Sequence, residues 1–133
     1  MTLKDYLSTK RGIGVLATVD KDGKPDLAYY AQPFYMGDET IAFIMADRLT
    51  HKNTGENPHA AYLFYERDAH FKGRRFFLTK LKEETDKDKM YELMKERDSK
   101  MAEEYKEAAK FLVYFHVDKV LDIFGDCKDQ ECF

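Results

Sequence analysis

Short apolar segments separated by tight-turn sequences constrain the fold of this chain most strongly. The first turn, DKDG at 20–23, follows the apolar run 13–19, and the second, MGDE at 36–39, precedes the apolar run 40–46. Both turns favour β-hairpins, because Asp bonds readily to its own backbone and Gly tolerates positive φ. Several short antiparallel strands joined in this way are typical of a barrel or a sandwich.

The other segments extend this pattern to a mainly β chain with three predicted helices. Aromatic and β-branched runs predict further strands, at 26–35, 59–66, 74–82 and 111–124. Helices are predicted over 2–11, over a short polar stretch from residue 50, and over 86–110. Neither a βαβ pattern nor a glycine-rich phosphate loop is present, so a doubly wound nucleotide-binding fold is not expected.

The segment 86–110 is predicted to form one long helix directly before the last strand. Asp86 can cap its first turn. A mainly apolar stripe recurs at three- and four-residue steps: Met90, Leu93, Met94, Arg97, Met101, Tyr105 and Ala108. Core packing is the commoner reason for such a stripe, although methionine-rich faces also serve as adaptable binding surfaces.

Length and charge limit the possible functions. At 133 residues, the chain is expected to form a single domain, residues 1–133, with a core of its own. A net charge of −3, with acidic and basic residues intermixed, argues against nucleic acid as a partner. No apolar run reaches membrane-spanning length, and the N-terminal residues are too polar for a secretion signal. We therefore expect a cytoplasmic protein without a membrane partner.

The cysteines and histidines do not predict a metal site. Cys127 and Cys132 have a C-x4-C spacing, which is not a strong metal or redox signature. A cytosolic protein would keep these thiols reduced, so two incidental thiols in a frayed tail are expected. His59, His70 and His116 lack the spacing of metal ligands.

The polar segment 48–58, between two apolar strands, is the best candidate for a binding site. Thr50 is expected to cap a short helix, which would place Lys52, Asn53 and Thr54 in the first turn. A helix start offers unpaired N–H groups and a partial positive charge, to which these side chains would add donors. Such a site could hold a phosphate. Spacing alone favours a solvated connecting helix instead.

Two motifs in order suggest a family. The first is GVLATVD-x-DG-x-P at 14–25, and the second is THK at 50–52 followed by NP at 57–58. Together with the order of the elements, they resemble the pyridoxamine 5′-phosphate oxidase-like flavoproteins, which are FMN-binding split β-barrels. The resemblance covers residues 1–83 and, more loosely, the last strand. It implies a mainly β split barrel with flanking helices and a long helix before the last strand.

The resemblance also implies which residues bind FMN. The phosphate would be held by Lys52, with neighbouring donors from Thr50, His51 and Asn53. Many members carry Arg where this chain has His51. The isoalloxazine ring would lie along the second strand and the end of the third, at Tyr29, Tyr30 and Ala31, with Gln32 less certain, and at Met45, Ala46 and Asp47. Arg48 would lead from the ring toward the phosphate. No side chain is assigned as an acid or base, because the flavin carries the chemistry.

Three of these residues have an ordinary structural explanation as well. Tyr29 and Tyr30 are neighbours on a strand and point to opposite faces, so at least one could belong to the barrel core. Arg48 could be a surface arginine, or a cation that stabilises the negative charge of reduced flavin near N1.

The family resemblance implies an FMN-dependent oxidoreductase that transfers a hydride or electrons through flavin N5, and a homodimer with flavin at the interface. Pyridoxamine phosphate oxidation itself is not expected, because the chain has no Trp and its tail, 125–133, does not match the substrate-binding segment of those enzymes. The alternatives are a non-enzymatic FMN carrier or electron-transfer protein, and a haem- or deazaflavin-binding relative.

Overall fold

Antiparallel strands dominate the computed structural model, which describes residues 1–126. The strands are β1 (Gly12–Val19), β2 (Pro25–Ala31), β3 (Phe34–Gly37), β4 (Thr40–Met45), β5 (His59–Glu66), β6 (Gly73–Glu84) and β7 (Phe111–Asp122). The helices are α1 (Leu3–Thr9), α2 (Leu49–Glu56), α3 (Lys87–Arg97) and α4 (Ser99–Tyr105). All neighbouring strands pair antiparallel, in the order β2-β1-β5-β6-β7-β4-β3.

The sheet curls so that its edge strand β2 comes close to β4, which lies next to the other edge. The edges, β2 and β3, are separated in sequence only by Gln32 and Pro33. Tyr30 of β2 and Phe43 of β4 stand near opposite ends of the strand order, yet their ring centroids are 5.8 Å apart. The expected mainly β architecture, a barrel with flanking helices, is therefore confirmed.

Both predicted hairpin turns are confirmed. The Asp20 carboxylate accepts hydrogen bonds from the N–H groups of Asp22 and Lys24, each at 2.9 Å, and Gly23 has a φ of 81°. In the second turn, the backbone stays in the left-handed region from Gly37, at 92°, to residue 39, at 55°. Side-chain bonding by Asp and the conformational freedom of Gly produce these turns, as the sequence indicates.

Alternation along the strands creates two cores. The first fills the barrel and is built mainly by side chains from β1 and β4–β7, closed by α1: Leu3, Tyr6, Leu7, Leu16, Ile41, Phe43, Met45, Tyr62, Phe64, Phe76, Leu78, Val113, Phe115 and Val117. The second lies on the outer face of β4 and β7, under α3 and α4: Ala42, Met90, Met94, Ala102, Ala109, Leu112 and Tyr114. Odd-numbered residues of β4, and of β7 up to Val117, thus face the barrel, and even-numbered ones in the pairs Ala42 and Ile44, Leu112 and Tyr114 face the helices.

Two predicted elements are wrong in extent. The strand expected over 26–35 is interrupted at Gln32 and Pro33, both buried, because Pro33 has no N–H with which to continue a ladder. The single helix expected over 86–110 is divided at Asp98, whose backbone is extended, and the chain leaves helix after Tyr105. The predicted cap is confirmed, since the Asp86 side chain accepts from the Lys89 N–H.

The first helix forms as predicted, but over the shorter range 3–9. Thr2 and Asp5 cap each other's backbone N–H groups, and Tyr6 of this helix is buried in the barrel. Within residues 1–126, no helix has both the length and the apolar character needed to cross a bilayer. The predictions for Cys127 and Cys132 lie outside the described residues.

Candidate functional site

A cavity of about 430 Å³ opens where the barrel edge meets α3 and α4. Such a volume is in the range of small-molecule sites, about 300–1,000 Å³. One wall comes from β2, from the junction between β2 and β3 (Gln32 and Pro33), from β3, and from β4 with the residue that follows it: Tyr29, Tyr30, Ala31, Gln32, Phe34, Phe43, Ile44 and Ala46. The other comes from the helical segment: Met94, Arg97, Met101, Tyr105, Ala108 and Ala109. The walls are mostly apolar or aromatic, which suits a flat organic ligand.

The two tyrosines of β2 have opposite environments. The Tyr29 side chain faces outward, and the residue is 67% exposed. Tyr30 is partly buried and packs against the barrel core, edge-on to Phe43. Tyr30 is therefore the tyrosine that belongs to the barrel core, although both residues line the cavity. The carbonyl of Tyr30 accepts a hydrogen bond of 2.9 Å from the Tyr62 hydroxyl.

Tyr30 also connects the cavity wall to the segment from residue 48. Burial raises the pKa of the Tyr30 phenol, while a hydrogen bond with Thr50 and the positive charge of Arg48 act in the opposite direction. The Thr50 side chain is thus directed at the wall of the cavity, and the Arg48 guanidinium is close enough to affect the phenol. The segment is therefore a neighbour of the cavity wall at Tyr30.

The expected start of α2 is wrong by two residues. Arg48 occupies the cap position with extended backbone and makes no side-chain cap bond, so the helix begins at Leu49. Thr50 is inside the first turn and 5% exposed. The N–H of Lys52 is already bonded to the Arg48 carbonyl, at 3.1 Å. The unpaired donors of the helix start therefore lie two residues earlier than the threonine cap predicted.

Several predicted phosphate donors are engaged elsewhere. The Asn53 amide is buried and donates to the Thr18 hydroxyl at 3.1 Å, and Thr54 donates to the His51 carbonyl at 2.8 Å. Asn53 therefore anchors α2 to β1, and Thr54 bonds within α2, contrary to their expected place as open donors in the first turn. Lys52 remains free to move, with a side chain 73% exposed and a single contact of 4.0 Å with Glu56.

His51 is held between a ring and a carboxylate. Its imidazole is parallel to the Phe111 ring, with centroids 3.6 Å apart. Its Nε2 contacts both carboxylate oxygens of Glu83, at 3.0 and 3.1 Å. This arrangement ties α2 to β6 and β7, so the nitrogen expected to face a phosphate already has a partner.

The residues at the end of β4 divide between core and surface. Met45 is completely buried in the barrel core, so its side chain does not line the cavity. Ala46 does line it, whereas Asp47 is exposed. Of the predicted ring-binding residues, the structure therefore brings Tyr29, Tyr30, Ala31 and Ala46 together around one cavity.

The helical wall contains a residue that sequence reasoning missed. The Arg97 guanidinium donates to the carbonyls of Gln32 and Pro33, the second at 3.0 Å, and lies 4.0 Å from the centroid of the Phe34 ring. Its signal in the sequence was its position as the one charged residue in the apolar stripe of 86–110. Arg97 is the last residue of α3, and this end of the helix lies at the cavity.

Solved structures share this fold at low sequence identity. HupZ of Group A Streptococcus is 24% identical with a TM-score of 0.67, over 92% of this chain and 94% of that one. An FMN-binding protein of Syntrophomonas wolfei is 18% identical with a TM-score of 0.67, over 90% and 82%. HutZ, the haem storage protein of Vibrio cholerae, is 18% identical with a TM-score of 0.65, over 90% of each chain. These likenesses show the fold.

The family comes from the sequence comparison. No curated protein matches the chain. The family model described as pyridoxamine 5′-phosphate oxidase matches residues 3–123, nearly all of the part that the structure describes. The chain therefore belongs to the pyridoxamine 5′-phosphate oxidase family of split-barrel proteins.

Proposed function

We propose that the protein is an FMN-dependent oxidoreductase. One observation carries this proposal: four of the residues that the resemblance assigns to the flavin ring, Tyr29, Tyr30, Ala31 and Ala46, line one cavity. A relative of the same fold is an FMN-binding protein, which supports the choice of cofactor.

The residues present suit FMN chemically. Its ring is flat and largely apolar, which matches the aromatic and aliphatic walls of the cavity. Its phosphate is a dianion and requires cations and N–H donors nearby. Arg48, the free N–H groups at the start of α2, and the exposed Lys52 would provide them.

Bound FMN would supply hydride or electron transfer through its N5 atom, so the protein needs no acid or base of its own. The part of this chain would be to bind and orient the cofactor and to limit access of water. Pyridoxamine phosphate oxidation is not part of the proposal, because the chain has no Trp for the substrate-binding segment of those enzymes.

A non-enzymatic FMN carrier is the second candidate. No His, Asp, Glu or Cys is among the described residues that line the cavity, and a carrier needs none. The lack of His and Cys in this lining also weighs against a haem site there, although HutZ is a haem storage protein with the same fold. Met and Tyr side chains, which also ligate haem iron in proteins, do line the cavity. The absorption spectrum therefore distinguishes haem from FMN.

We further propose a homodimer formed through an apolar face that the fold leaves open. This outer apolar face comprises nine cross-strand neighbours on β2, β1 and β5: Leu27, Tyr29, Ala31, Ile13, Val15, Ala17, Ala61, Leu63 and Tyr65. None is charged, and Leu27 is 70% exposed. A second copy, packed face to face, would bury them.

The same face reaches the cavity. Tyr29 and Ala31 belong both to the outer apolar face and to the cavity wall. A second copy seated there would cover the cavity edge and would place the cofactor at the interface. A cytoplasmic location, which follows from the sequence expectation, completes the proposal.

The absorption spectrum of the purified chain tests the cofactor. We expect flavin bands, either as purified or after addition of FMN, and bleaching of these bands by NADH or NADPH. A stoichiometric flavin that passes no electrons to any acceptor would favour the carrier. A Soret band would show that the bound cofactor is haem and not FMN. A colourless chain that takes up no FMN would overturn the proposal.

Sedimentation of a matched pair of variants tests the dimer. Leu63→Glu places a charge in the outer apolar face, whereas Leu81→Glu places one at an exposed leucine of β6 outside it. We expect a dimer that only Leu63→Glu dissociates. A monomeric parent protein, or equal behaviour of the two variants, would contradict the proposed interface.

A further inference from the structure

Arg97 is the only charged residue among those that line the cavity within residues 1–126. It comes from α3, whereas the residues assigned to the flavin come from β2, β4 and α2. The cavity therefore has one cation, which reaches from α3 to the residues that follow β2.

The guanidinium is held in one orientation. The carbonyls of Gln32 and Pro33 accept from its two terminal nitrogens, and Phe34 supports one face of it. These bonds use two of its five N–H groups. Within the described part of the chain, no further acceptor takes the other three. A fixed guanidinium with free donors is suited to planar, two-point recognition of a carboxylate.

The charge has no compensating anion in residues 1–126. No carboxylate is within 4.0 Å of Arg97, and its charged neighbour is another arginine, Arg11. Burial, with a smaller effect of Arg11, lowers the pKa of Arg97 to about 10, so the group remains a cation at neutral pH. Arg97 is nevertheless an exposed residue, since the cavity side of it is open.

A purely structural role would not need this charge. The Gln32 side chain already ties the junction to the end of α1, because its amide donates to the carbonyls of Leu7 and Lys10. The two carbonyls of the junction need N–H donors, not a net positive charge. The positive charge of Arg97 lies against the Phe34 ring at the cavity.

We propose that Arg97 is the anchor for an anionic reaction partner, and that the α3–α4 side of the cavity accepts a small aromatic or aliphatic carboxylate beside the cofactor. The apolar body of such a ligand would contact the side chains of Met94, Met101 and Tyr105. Its carboxylate would bind the free N–H groups of Arg97. The presence of FMN beside this ligand rests on the proposed function, whereas the anion site at Arg97 does not.

Two probes of equal shape test the charge. The full chain is titrated calorimetrically with 2-naphthoate and with its neutral analogue 2-naphthamide, before and after addition of FMN. We expect naphthoate to bind more tightly than naphthamide, and to bind the FMN-loaded protein as well. Arg97→Gln should raise the dissociation constant of naphthoate about tenfold or more, because a charge-assisted contact is lost. The dissociation constant of naphthamide should change by no more than about twofold.

Lys95→Gln is the matched control, because Lys95 is an exposed cation on the same helix. It should change neither affinity. If Arg97→Gln lowered the affinities for naphthoate and naphthamide equally, the residue would only shape the junction, and the proposal would be overturned. Absence of saturable naphthoate binding, or equal effects of the two variants, would do the same.

FMN separates this inference from the proposed function. If the chain takes up no FMN but Arg97 still discriminates the two probes, the flavin proposal fails and the anion site stands. If FMN binds and displaces naphthoate, the guanidinium belongs to the cofactor site, and the anchor for a second ligand is overturned.

Discussion

The Tyr62 hydroxyl donates to the Tyr30 carbonyl at 2.9 Å, across the strand that separates them. Tyr62 is on β5 and Tyr30 on β2, with β1 between. The bond is possible because Gly14, the β1 residue paired with Tyr30, has no side chain in its path. The barrel core thus holds the strand that lines the cavity.

Gly14→Ala should therefore destabilise the protein. An added Cβ would lie 2.2 Å from the ring and hydroxyl of Tyr62 and 2.6 Å from the Leu63 carbonyl, so the barrel wall would have to move. We expect a loss of about 1–3 kcal/mol in the free energy of unfolding, the usual cost of overpacking. Chemical denaturation measures it.

Gly55→Ala is the control for this substitution. A Cβ at Gly55 meets nothing within 4 Å, and the residue lies in α2. Alanine is the better helix former, so we expect unchanged or higher stability, by about 0.5–1 kcal/mol. Equal stability of the Gly14 variant and the parent would contradict the close contact with Tyr62.

Lys52→Ala should weaken FMN binding. The side chain is exposed and free to reach a phosphate at the start of α2. Removing one charge-assisted bond costs about 1.5–3 kcal/mol, which corresponds to a tenfold or larger rise in the dissociation constant. Quenching of flavin fluorescence provides the measurement. Lys100→Ala, at an exposed lysine of α4, should bind FMN as the parent does; equal affinities of all three proteins would mean that the phosphate lies elsewhere.

Asp98→Ala should loosen the helical wall of the cavity. The Asp98 N–H closes α3 by bonding to the Met94 carbonyl, and its carboxylate accepts from the N–H groups of Lys100 and Met101 at the start of α4. Loss of such a cap costs about 1 kcal/mol, measured as a lower midpoint of denaturation. Asp98→Asn retains an acceptor and should keep most of the stability, so equal losses in the two variants would argue against capping.

Glu83→Gln should reduce stability in a pH-dependent manner. Burial acts to raise the pKa of the Glu83 carboxyl, but hydrogen bonds from Lys80 and His51 bring it below its ordinary 4.5. A lowered pKa means that the charged form stabilises the fold above pH 4.5, and that this contribution disappears as the pH falls through the folded pKa. The difference between the two proteins should be present at pH 7 and shrink in acid. A difference that stays constant down to pH 3 would contradict the ionic origin.

Local backbone chemistry explains what could be predicted. Turns at 20–23 and 36–39 depend on Asp and Gly acting within a few residues, and alternation along β4 and β7 depends on the period of a strand. These features predict the barrel, and the two motifs that contain them indicate the family. Tyr29, Tyr30, Ala31 and Ala46 followed from the same alignment of motifs.

Long-range packing explains what the local patterns did not predict. Thr50 is an ordinary helix cap by type, but it is buried inside the first turn of α2, which begins at Leu49. Asn53 is a suitable phosphate donor by type, but Thr18, 35 residues away, engages its amide. No local pattern encodes such partners, because they depend on which faces of α2 and β1 meet.

Residue types along short stretches of chain were enough to predict most of the strands, the tight turns, the barrel class and the family. The position of the cavity, the predicted donors that stay unbonded and the place of Arg97 at the cavity came from the tertiary structure. These depend on the curl of the sheet, which brings β2 to β4, and on the break at Asp98, which directs α3 and α4 against the barrel edge. Contacts between residues distant in sequence, rather than local propensity, therefore shape the site.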